Sequence, residues 1–163
     1  MMTRTPLRTR KAIRSPLDVL VADDEPADKL LVALAAGEAA TEIRFSFVDD
    51  GEQLLVALAK RIADGNPPDV VVLDLRMPRC SGLEALERLA ESNTAREIPI
   101  VMFTNSRRQS DMDRAIELGV VRFQTKPASY TELVEFIDEL GRIVAEARAR
   151  QPLDWSAEDG EGL

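Results

Sequence analysis

The chain has 163 residues, 45% of them hydrophobic, with a formal net charge of −8 and no histidine. This length suits a single globular domain. The lack of histidine excludes Ser-His-Asp and Cys-His catalytic groups and histidine-ligated metal sites. Residues 1–16 carry +5 and residues 151–163 carry −4, which leaves −9 on the segment between them. An acidic centre of this kind disfavours nucleic acid as a partner.

The single cysteine and the length of the apolar runs indicate the cellular compartment. Cys80 has no second cysteine to pair with, which fits a cytoplasmic protein. No run reaches the ~18 apolar residues of a membrane span. We predict a cytoplasmic protein without a membrane segment. It would consist of a basic, disordered leader (1–16), one domain (17–148) and an acidic tail (149–163).

Apolar runs of strand length alternate with helical patterns along the domain. The strand candidates are "DVLVA" (18–22), "EIRFSFV" (42–48), "VVVLD" (70–74), "IVMFT" (100–104) and "VVRFQT" (120–125). The second alternates between apolar and polar residues, as a strand with one less buried face does, and the others suit strands buried on both faces. Strict alternation of strand and helix predicts an α/β protein with a parallel, doubly wound sheet and helices on both faces.

The helix candidates are marked by an apolar stripe, a cap or a stop signal. The first has Pro26 in its opening turn, and its stripe consists of Leu30, Leu31, Leu34 and Ala35. The second follows Asp50 as its cap, and its stripe consists of Leu54, Leu55, Leu58 and Ile62. Capping-box spacing occurs in "SGLE" (81–84), "SYTE" (129–132) and, in weaker form, "SDMD" (110–113). Gly119 is placed to end the fourth helix.

The last helix carries two apolar strips. At about 100° per residue, the core strip consists of Leu133, Ile137, Leu140 and Val144. A second strip beside it consists of Phe136, Ile143 and Ala147, and it makes the apolar face wider than a surface helix needs. We predict that this second strip belongs to a homodimer interface; packing under the fourth helix is the alternative.

Charged and hydroxyl side chains stand at the carboxyl ends of four strands. Asp23 and Asp24 follow the first strand, Asp74 ends the third, Thr104 ends the fourth, and Lys126 follows the fifth. In parallel sheets ligands bind at this edge. Three carboxylates in one pocket repel one another and one lysine does not offset them, so a divalent cation is predicted. Mg²⁺ prefers oxygen ligands, and an aspartate such as Asp74 can accept a phosphoryl group.

The order "DD", "LDLRMP", "T" and "KP" resembles the receiver domain of two-component response regulators, over about residues 17–148. The resemblance implies a flavodoxin-like sheet with strand order 2-1-3-4-5. It also implies that a histidine kinase phosphorylates Asp74. The Mg²⁺ ligands would be Asp24, Asp74 and the backbone carbonyl of Arg76, and Asp23 would act on the metal mainly through water.

The same resemblance assigns roles to three further residues. Thr104 matches the switch hydroxyl, Phe123 the switch aromatic, and Lys126 the lysine that contacts the phosphoryl group. The turn after "MP" usually carries Asp-Gly in the family, and here it is Ser81-Gly82. Arg76 and Ser106 lie at positions where the family tunes dephosphorylation.

Other classes of protein use similar residues. A haloacid-dehalogenase-type phosphatase would need a second aspartate two residues after Asp74, where this chain has Arg76, which cannot act as a general acid. A receiver-like binding module that is never phosphorylated is the main alternative. A second acidic pair, Asp49-Asp50, follows the edge strand and is interpreted as turn and capping chemistry.

The predicted partners follow from the resemblance. We expect a sensor histidine kinase, an unknown downstream protein, and a homodimer through the fourth helix, fifth strand and fifth helix. Little chain follows the last helix, so we expect a stand-alone receiver without a DNA-binding or catalytic output domain, acting as a regulator and not as an enzyme. The longer connection "ADGNPPD" (63–69) is similar to that of receivers paired with phytochrome-type kinases.

Overall fold

The computed structural model of the protein describes residues 16–92 and 95–150, so most of the predicted leader and tail lies outside the described residues. Five strands occur in this part: β1 (Leu17–Ala22), β2 (Ile43–Val48), β3 (Val70–Leu73), β4 (Ile100–Thr104) and β5 (Arg122–Thr125). Five helices follow them in turn: α1 (Pro26–Glu38), α2 (Gly51–Ala63), α3 (Gly82–Ser92), α4 (Gln109–Glu117) and α5 (Tyr130–Arg150).

The strands form one parallel sheet in the order β2-β1-β3-β4-β5, as predicted. The sheet separates two apolar clusters of side chains. One cluster joins α1 and α5 to β1, β3 and β4, and it includes Val19, Val72 and Phe103. The other joins α2, α3 and α4 to the opposite face, and it includes Leu20, Leu73 and Met102. Since β1, β3 and β4 are covered on both faces, they read as continuous apolar runs.

Most of the predicted helix ends are confirmed. The side chain of Asp50 accepts a hydrogen bond from the backbone N–H of Gln53, and Ser81 and Ser129 accept from the third residue after each. Gly119, which follows the C-cap residue Leu118 of α4, has φ +96°, a conformation that glycine adopts without steric cost. The "SDMD" cap was wrong, because α4 begins at Gln109 after an N-cap residue with no side-chain hydrogen bond.

The predicted core stripe of α1 was confirmed for Ala35 and was wrong for its three leucines. Leu30, Leu31 and Leu34 are 60%, 43% and 54% exposed. The residues that α1 buries are Val32 and Ala35. Small side chains face inward because α1 packs closely on both the sheet and α5. The larger leucines therefore form an apolar patch on the surface, which we call the α1 leucine patch.

The second apolar strip of α5 lies inside the molecule. Phe136 and Ile143 are both 6% exposed and belong to the cluster with β1, β3 and β4. The ring of Phe136 stacks on that of Phe103 with centroids 4.8 Å apart, and Ala147 is half-buried. This strip is thus not available as a dimer surface, because it packs against the sheet.

An ion pair lies at the amino edge of the sheet. At the amino edge Arg148 of α5 forms an ion pair with the buried Asp69 (2.8 Å), which also accepts a hydrogen bond from the backbone N–H of Asp18. α5 continues to Arg150, two residues beyond the predicted domain boundary. Within the described residues, no helix combines the length and the apolar character that crossing a membrane requires.

Candidate functional site

Backbone hydrogen bonds extend the sheet ladder by one residue and fix the site residues at the carboxyl edge. The N–H of Asp74 donates to the carbonyl of Ala22 at 3.0 Å, and the N–H of Asp23 donates to Val48 at 3.0 Å. On the other side of the site, the N–H of Lys126 donates to the carbonyl of Thr104 at 2.9 Å. The predicted site residues are therefore held by the sheet and not by flexible loops.

Lys126 is the centre of a charge cluster. Its Nζ donates to Oδ2 of Asp23 at 2.9 Å, to Oδ2 of Asp74 at 3.0 Å and to Oδ2 of Asp28 at 2.5 Å. Burial alone would lower the pKa of Lys126, but these three carboxylates raise it well above its ordinary value. The ammonium is thus fixed in its charged form, and all of its donors are used inside the cluster.

Asp23 is the most buried of these acids, at 3% exposed. Its other oxygen, Oδ1, accepts from the backbone N–H of Glu25 at 2.9 Å. Burial raises the pKa of Asp23, and the hydrogen bonds with Lys126 and Glu25 only partly offset this. The carboxylate is therefore short of positive charge, which is the condition that favours a bound cation.

Three carboxylates converge in a way that suits a metal ion. Asp23, Asp24 and Asp74 each offer an oxygen, and these oxygens lie within 4.8 Å of one another. Asp23 and Asp74 are buried, whereas Asp24 is exposed at the mouth of the site. Hard carboxylate oxygens with an opening to water are the donor set that Mg²⁺ takes in proteins. The residues present therefore fit the predicted ion.

A cavity of about 460 Å³ lies on the other side of Asp74, beneath the loop between β4 and α4. Thr104 and Ser106 line it and are both buried. Oγ1 of Thr104 accepts from the backbone N–H of Ser106 at 3.2 Å, and Oγ of Ser106 donates to Asp111 at 2.9 Å. This chain of bonds holds the loop in place. Arg76 and three further loop residues complete the lining.

Two glycines allow the loop after β3 to close on the site. A Cβ on Gly82 would lie 2.2 Å from the carbonyl oxygen of Asp74, and one on Gly51 would lie 2.6 Å from Sγ of Cys80. Arg79, with φ 64°, completes the turn and pairs with Asp50. The hydrogen bond from Gln53 and that from Arg79 lower the pKa of Asp50. Asp50 thus anchors the loop and lies outside the carboxylate group, as predicted.

Three other residues considered in the sequence analysis lie outside the group of carboxylates. Phe123 is half-buried and packs against the apolar cluster under α2, α3 and α4. Asp49 is exposed and pairs with Lys29. Cys80 is buried, and burial raises the pKa of its thiol, which fits the prediction of a structural loop residue.

Sequence reasoning missed Asp28. It lies in the first turn of α1, four residues after Asp24, and its carboxylate contacts Lys126. Asp24 precedes α1, so helical spacing does not link it to Asp28; the available signal was an acidic residue in the first turn of the helix that follows β1. Asp23, Asp28 and Asp74 contact the ammonium of Lys126, and together with Asp24 they give the cluster a formal charge of −3.

The comparisons agree with this geometry. Residues 19–138 match the response regulator receiver domain. This match covers well over half of the chain, so the protein belongs to the receiver-domain family of two-component response regulators. The predicted resemblance and the flavodoxin-like fold are thereby confirmed.

Several solved structures are similar over most of this chain. The response regulator RPA3017 of R. palustris, described in red light signalling, is 32% identical with a TM-score of 0.66, covering 75% of this chain and 89% of that one. The bacteriophytochrome response regulator AtBRR is 34% identical with a TM-score of 0.61, covering 76% and 91%. The phosphorylated cyanobacterial phytochrome response regulator RcpA, at 24% identity and a TM-score of 0.69, covers 78% and 92% and supports the fold alone.

Curated relatives differ in length. The probable methanogenesis regulatory protein FilR2 of Methanothrix harundinacea is 30% identical over 126 residues, covering 77% of this chain and 81% of FilR2. The transcriptional regulatory protein TrcR of Mycobacterium tuberculosis is 39% identical over 129 residues, covering 78% of this chain and 46% of TrcR. The chain spans only 32% of a protein-glutamate methylesterase of Anaeromyxobacter dehalogenans.

Proposed function

We propose that this protein is a response regulator that a sensor histidine kinase phosphorylates on Asp74, with Mg²⁺ as cofactor. The observation that carries the proposal is the contact between Lys126 Nζ and Asp74 Oδ2 at 3.0 Å, beside the carboxylates of Asp23 and Asp24. An ammonium and a group of acids around one aspartate provide the positioning and charge neutralisation that phosphoryl transfer needs.

The attacking atom in this proposal is an oxygen of Asp74. Among residues 16–92 and 95–150, the hydrogen-bond contact of Asp74 Oδ1 is a long one, 3.4 Å from the backbone nitrogen of Arg76, and we take Oδ1 as the oxygen that attacks phosphorus. The bond from phosphorus to the kinase imidazole breaks, and its electron pair stays on the imidazole nitrogen. Lys126 and the hydroxyl of Thr104 then contact the phosphoryl oxygens.

The metal ligands in this proposal are Asp24, Asp74 and the backbone carbonyl of Arg76, and Asp23 acts mainly through water. When bound, Mg²⁺ neutralises charge on the carboxylates and on the incoming phosphoryl oxygens. Asp24 is exposed at the mouth of the site, so it is the acid that solvent and metal reach first.

Phosphorylation would be read out through Thr104 and Phe123. Thr104 is bonded to the loop before α4 through Ser106, so drawing its hydroxyl toward a phosphoryl group pulls on that loop. Phe123, half-buried next to α4, changes position in response. The altered surface binds a downstream protein. A receiver-like module that works without phosphorylation is the alternative.

We further propose a phytochrome-type kinase as the donor, in the cytoplasm. Two structures similar at 32% and 34% identity are described as response regulators of red light signalling and of a bacteriophytochrome. α1 begins beside the site at Pro26, and its exposed Leu30 and Leu34 offer apolar surface to a protein that approaches Asp74. Phosphotransfer profiling against a panel of histidine kinases identifies the partner.

We still propose a homodimer through α4, β5 and α5, but its contacts would come from residues other than the second apolar strip of α5. Ile116 of α4 and Val121, just before the edge strand β5, are 59% and 40% exposed on this face. We expect Ile116→Glu to shift the protein toward monomer in sedimentation, and Val56→Glu, at an exposed position on α2, to have no effect. Equal sedimentation of both variants and the wild type would contradict this interface.

The test of the phosphoacceptor is intact-mass measurement after incubation with Mg²⁺ and acetyl phosphate. We expect one phosphoryl adduct on the wild type and none on Asp74→Asn, which keeps the shape of the side chain but removes the nucleophilic carboxylate. An adduct of equal yield on the variant would refute the assignment. No adduct on either protein would favour the unphosphorylated binding module.

A further inference from the structure

A second cavity, of about 420 Å³, lies between α3 and the end of α4 at the amino edge of the sheet. Apolar side chains form most of its lining, among them Leu89 of α3, Leu118 after α4, and Ile98 and Ile100 before and at the start of β4. Arg96 also lines it, is exposed, and takes part in none of the ion pairs within residues 16–92 and 95–150. We call this cavity the α3–α4 groove.

The described chain ends close to this groove. α5 ends at Arg150, and Arg148 forms its ion pair with Asp69, directly before β3. The N–H of Val71 on β3 donates to the carbonyl of Pro99, directly before β4. Neighbouring strands lie about 4.8 Å apart. The end of α5 and the floor of the groove are therefore one strand apart at the same edge, although they lie on opposite faces of the sheet.

Residues 151–163, which lie outside the described residues, match the chemistry of the groove. They carry −4, and they contain Trp155, the single tryptophan of the chain, directly after Asp154. Pro152 disfavours a continued helix. At ~3.3–3.6 Å per residue, the chain from Arg150 to Trp155 spans up to about 17 Å, which is enough to pass under the edge of the sheet.

A buried nitrogen indicates where such a segment would pass. Nη1 of Arg148 is buried and has no hydrogen-bond partner among the described residues, whereas Nη2 donates to Asp69 at 2.8 Å. A buried donor without an acceptor costs free energy. A segment that crosses the amino edge at this point is therefore stabilised when it offers a carbonyl or carboxylate oxygen, and the residues directly after α5 can supply one.

We propose that residues 151–163 cross the amino edge and dock in the α3–α4 groove of the same molecule, with the indole of Trp155 among the apolar side chains and Asp154 paired with Arg96. The indole gains apolar burial, and the charge pair fixes the register. Residues 1–16 are the poorer occupant, because they are basic and contain no aromatic residue. A protein that binds this end of α4 must then displace the docked segment.

Tryptophan fluorescence of the full chain tests this, because Trp155 is its only tryptophan. A synthetic peptide of residues 151–163 provides the reference for an exposed indole. We expect the protein to emit at shorter wavelength than the peptide and to resist quenching by acrylamide. Arg96→Glu and Ala90→Glu, both at exposed positions in the groove, should each shift the emission toward that of the peptide.

Two controls separate the groove from general effects of charge. Arg44→Glu makes the same charge change as Arg96→Glu at an exposed position on the edge strand β2 and should leave the emission unchanged. Asp154→Lys alone should lose the protection from acrylamide, and Asp154→Lys combined with Arg96→Glu restores an opposite pair and should recover most of it. Thermal unfolding verifies that each variant is folded.

Three results would overturn the proposal. Wild-type emission equal to that of the peptide would show that the indole is not bound. Emission at shorter wavelength that neither Arg96→Glu nor Ala90→Glu changes would place the indole elsewhere. Protection that rises with protein concentration, in parallel with sedimentation, would assign the groove to the tail of a second copy. None of these measurements involves Asp74, so their outcome is independent of the proposed function.

Discussion

At the scale of single residues, Gly82 positions the candidate phosphoacceptor. Its Cα faces the carbonyl of Asp74, and its N–H donates to the carbonyl of Leu75 at 2.9 Å. A methyl group there would lie 2.2 Å from the Asp74 oxygen. The absence of a side chain at this position therefore allows α3 to begin directly against the end of β3.

We expect Gly82→Ala to lower the free energy of unfolding by about 1–3 kcal/mol, the usual cost of overpacking, and to slow phosphorylation of Asp74. Gly37→Ala is the matched control, since Gly37 lies in α1 with no atom near its Cβ position. That change should stabilise the protein by roughly 0.5–1 kcal/mol through helix propensity. Chemical denaturation measures both. Equal effects would mean that the contact at Asp74 is not tight.

Asp50 makes stability depend on pH. Its carboxylate accepts from the N–H of Gln53 and from Arg79, which lowers its pKa. The unfolded value is about 3.9, so the folded protein holds the proton more weakly than the unfolded chain does. The resulting stability is complete above the unfolded pKa and is lost as the pH falls through the lower, folded pKa.

We therefore expect the unfolding free energy of the wild type to fall more steeply than that of Asp50→Asn between about pH 5 and pH 2. Asparagine keeps a capping oxygen but does not titrate. Denaturation curves at a series of pH values test this. Parallel curves for the two proteins would show that the carboxylate charge contributes nothing.

Asp24 is the acid on which we expect metal binding to depend most visibly. Asp24→Ala should reduce Mg²⁺ affinity in calorimetry by at least about tenfold, since loss of even an indirect partner often costs that much. Asp49→Ala removes an exposed carboxylate that pairs with Lys29 and should leave the affinity unchanged. If Asp49→Ala weakened binding as much as Asp24→Ala, the metal would lie elsewhere.

At the scale of elements, the strands and their order were predictable, and the faces of two helices were not. Buried parallel strands are covered on both sides, so runs such as Val70–Leu73 mark them without knowledge of neighbours. The site residues at the carboxyl edge were predictable as well, because Asp23, Asp74 and Lys126 stand directly after the strands. Arg107 and Arg108, which line the cavity beside Asp74, follow no strand directly, so the same rule did not find them.

Helix faces depend on what packs against them. The stripe on α1 was predicted from the spacing of its apolar residues, but close packing of α1 on the sheet and α5 selects Val32 and Ala35 and leaves the leucines outside. On α5 the error was the reverse. Phe136 was predicted at a dimer surface, and its stacking partner Phe103 lies on β4, more than thirty residues away, where no local pattern reveals it.

Because Phe136 is buried in the core, its substitution tests the stability of the fold and not dimerisation. We expect Phe136→Ala to lower the unfolding free energy by about 3–5 kcal/mol through lost burial and a cavity. Leu34→Ala, at an exposed position on α1, should change it by no more than about 0.5 kcal/mol. Thermal and urea denaturation distinguish the two. A Phe136→Ala protein that is as stable as the wild type but sediments differently would show that Phe136 belongs to an interface and not to the core.

At the scale of the whole molecule, the amino and carboxyl edges of the sheet differ in structure. The amino edge is closed by the ion pair between Arg148 and Asp69, which joins the end of α5 to the start of β3. The carboxyl edge is left open, with acids on the α1 side of Asp74 and the exposed Arg76, Arg107 and Arg108 at the cavity on the α4 side. The α1 leucine patch begins next to this open edge, where we propose that a donor protein approaches.

The central claim is that Asp74 receives a phosphoryl group from a protein histidine. The most direct measurement is transfer of labelled phosphoryl from a phosphorylated bacteriophytochrome-type histidine kinase to this protein in the presence of Mg²⁺. We predict rapid loss of label from the kinase and its gain on the wild type, and no gain on Asp74→Asn. Label on the Asn variant at the wild-type level, or no transfer from any kinase in a panel, would contradict the account.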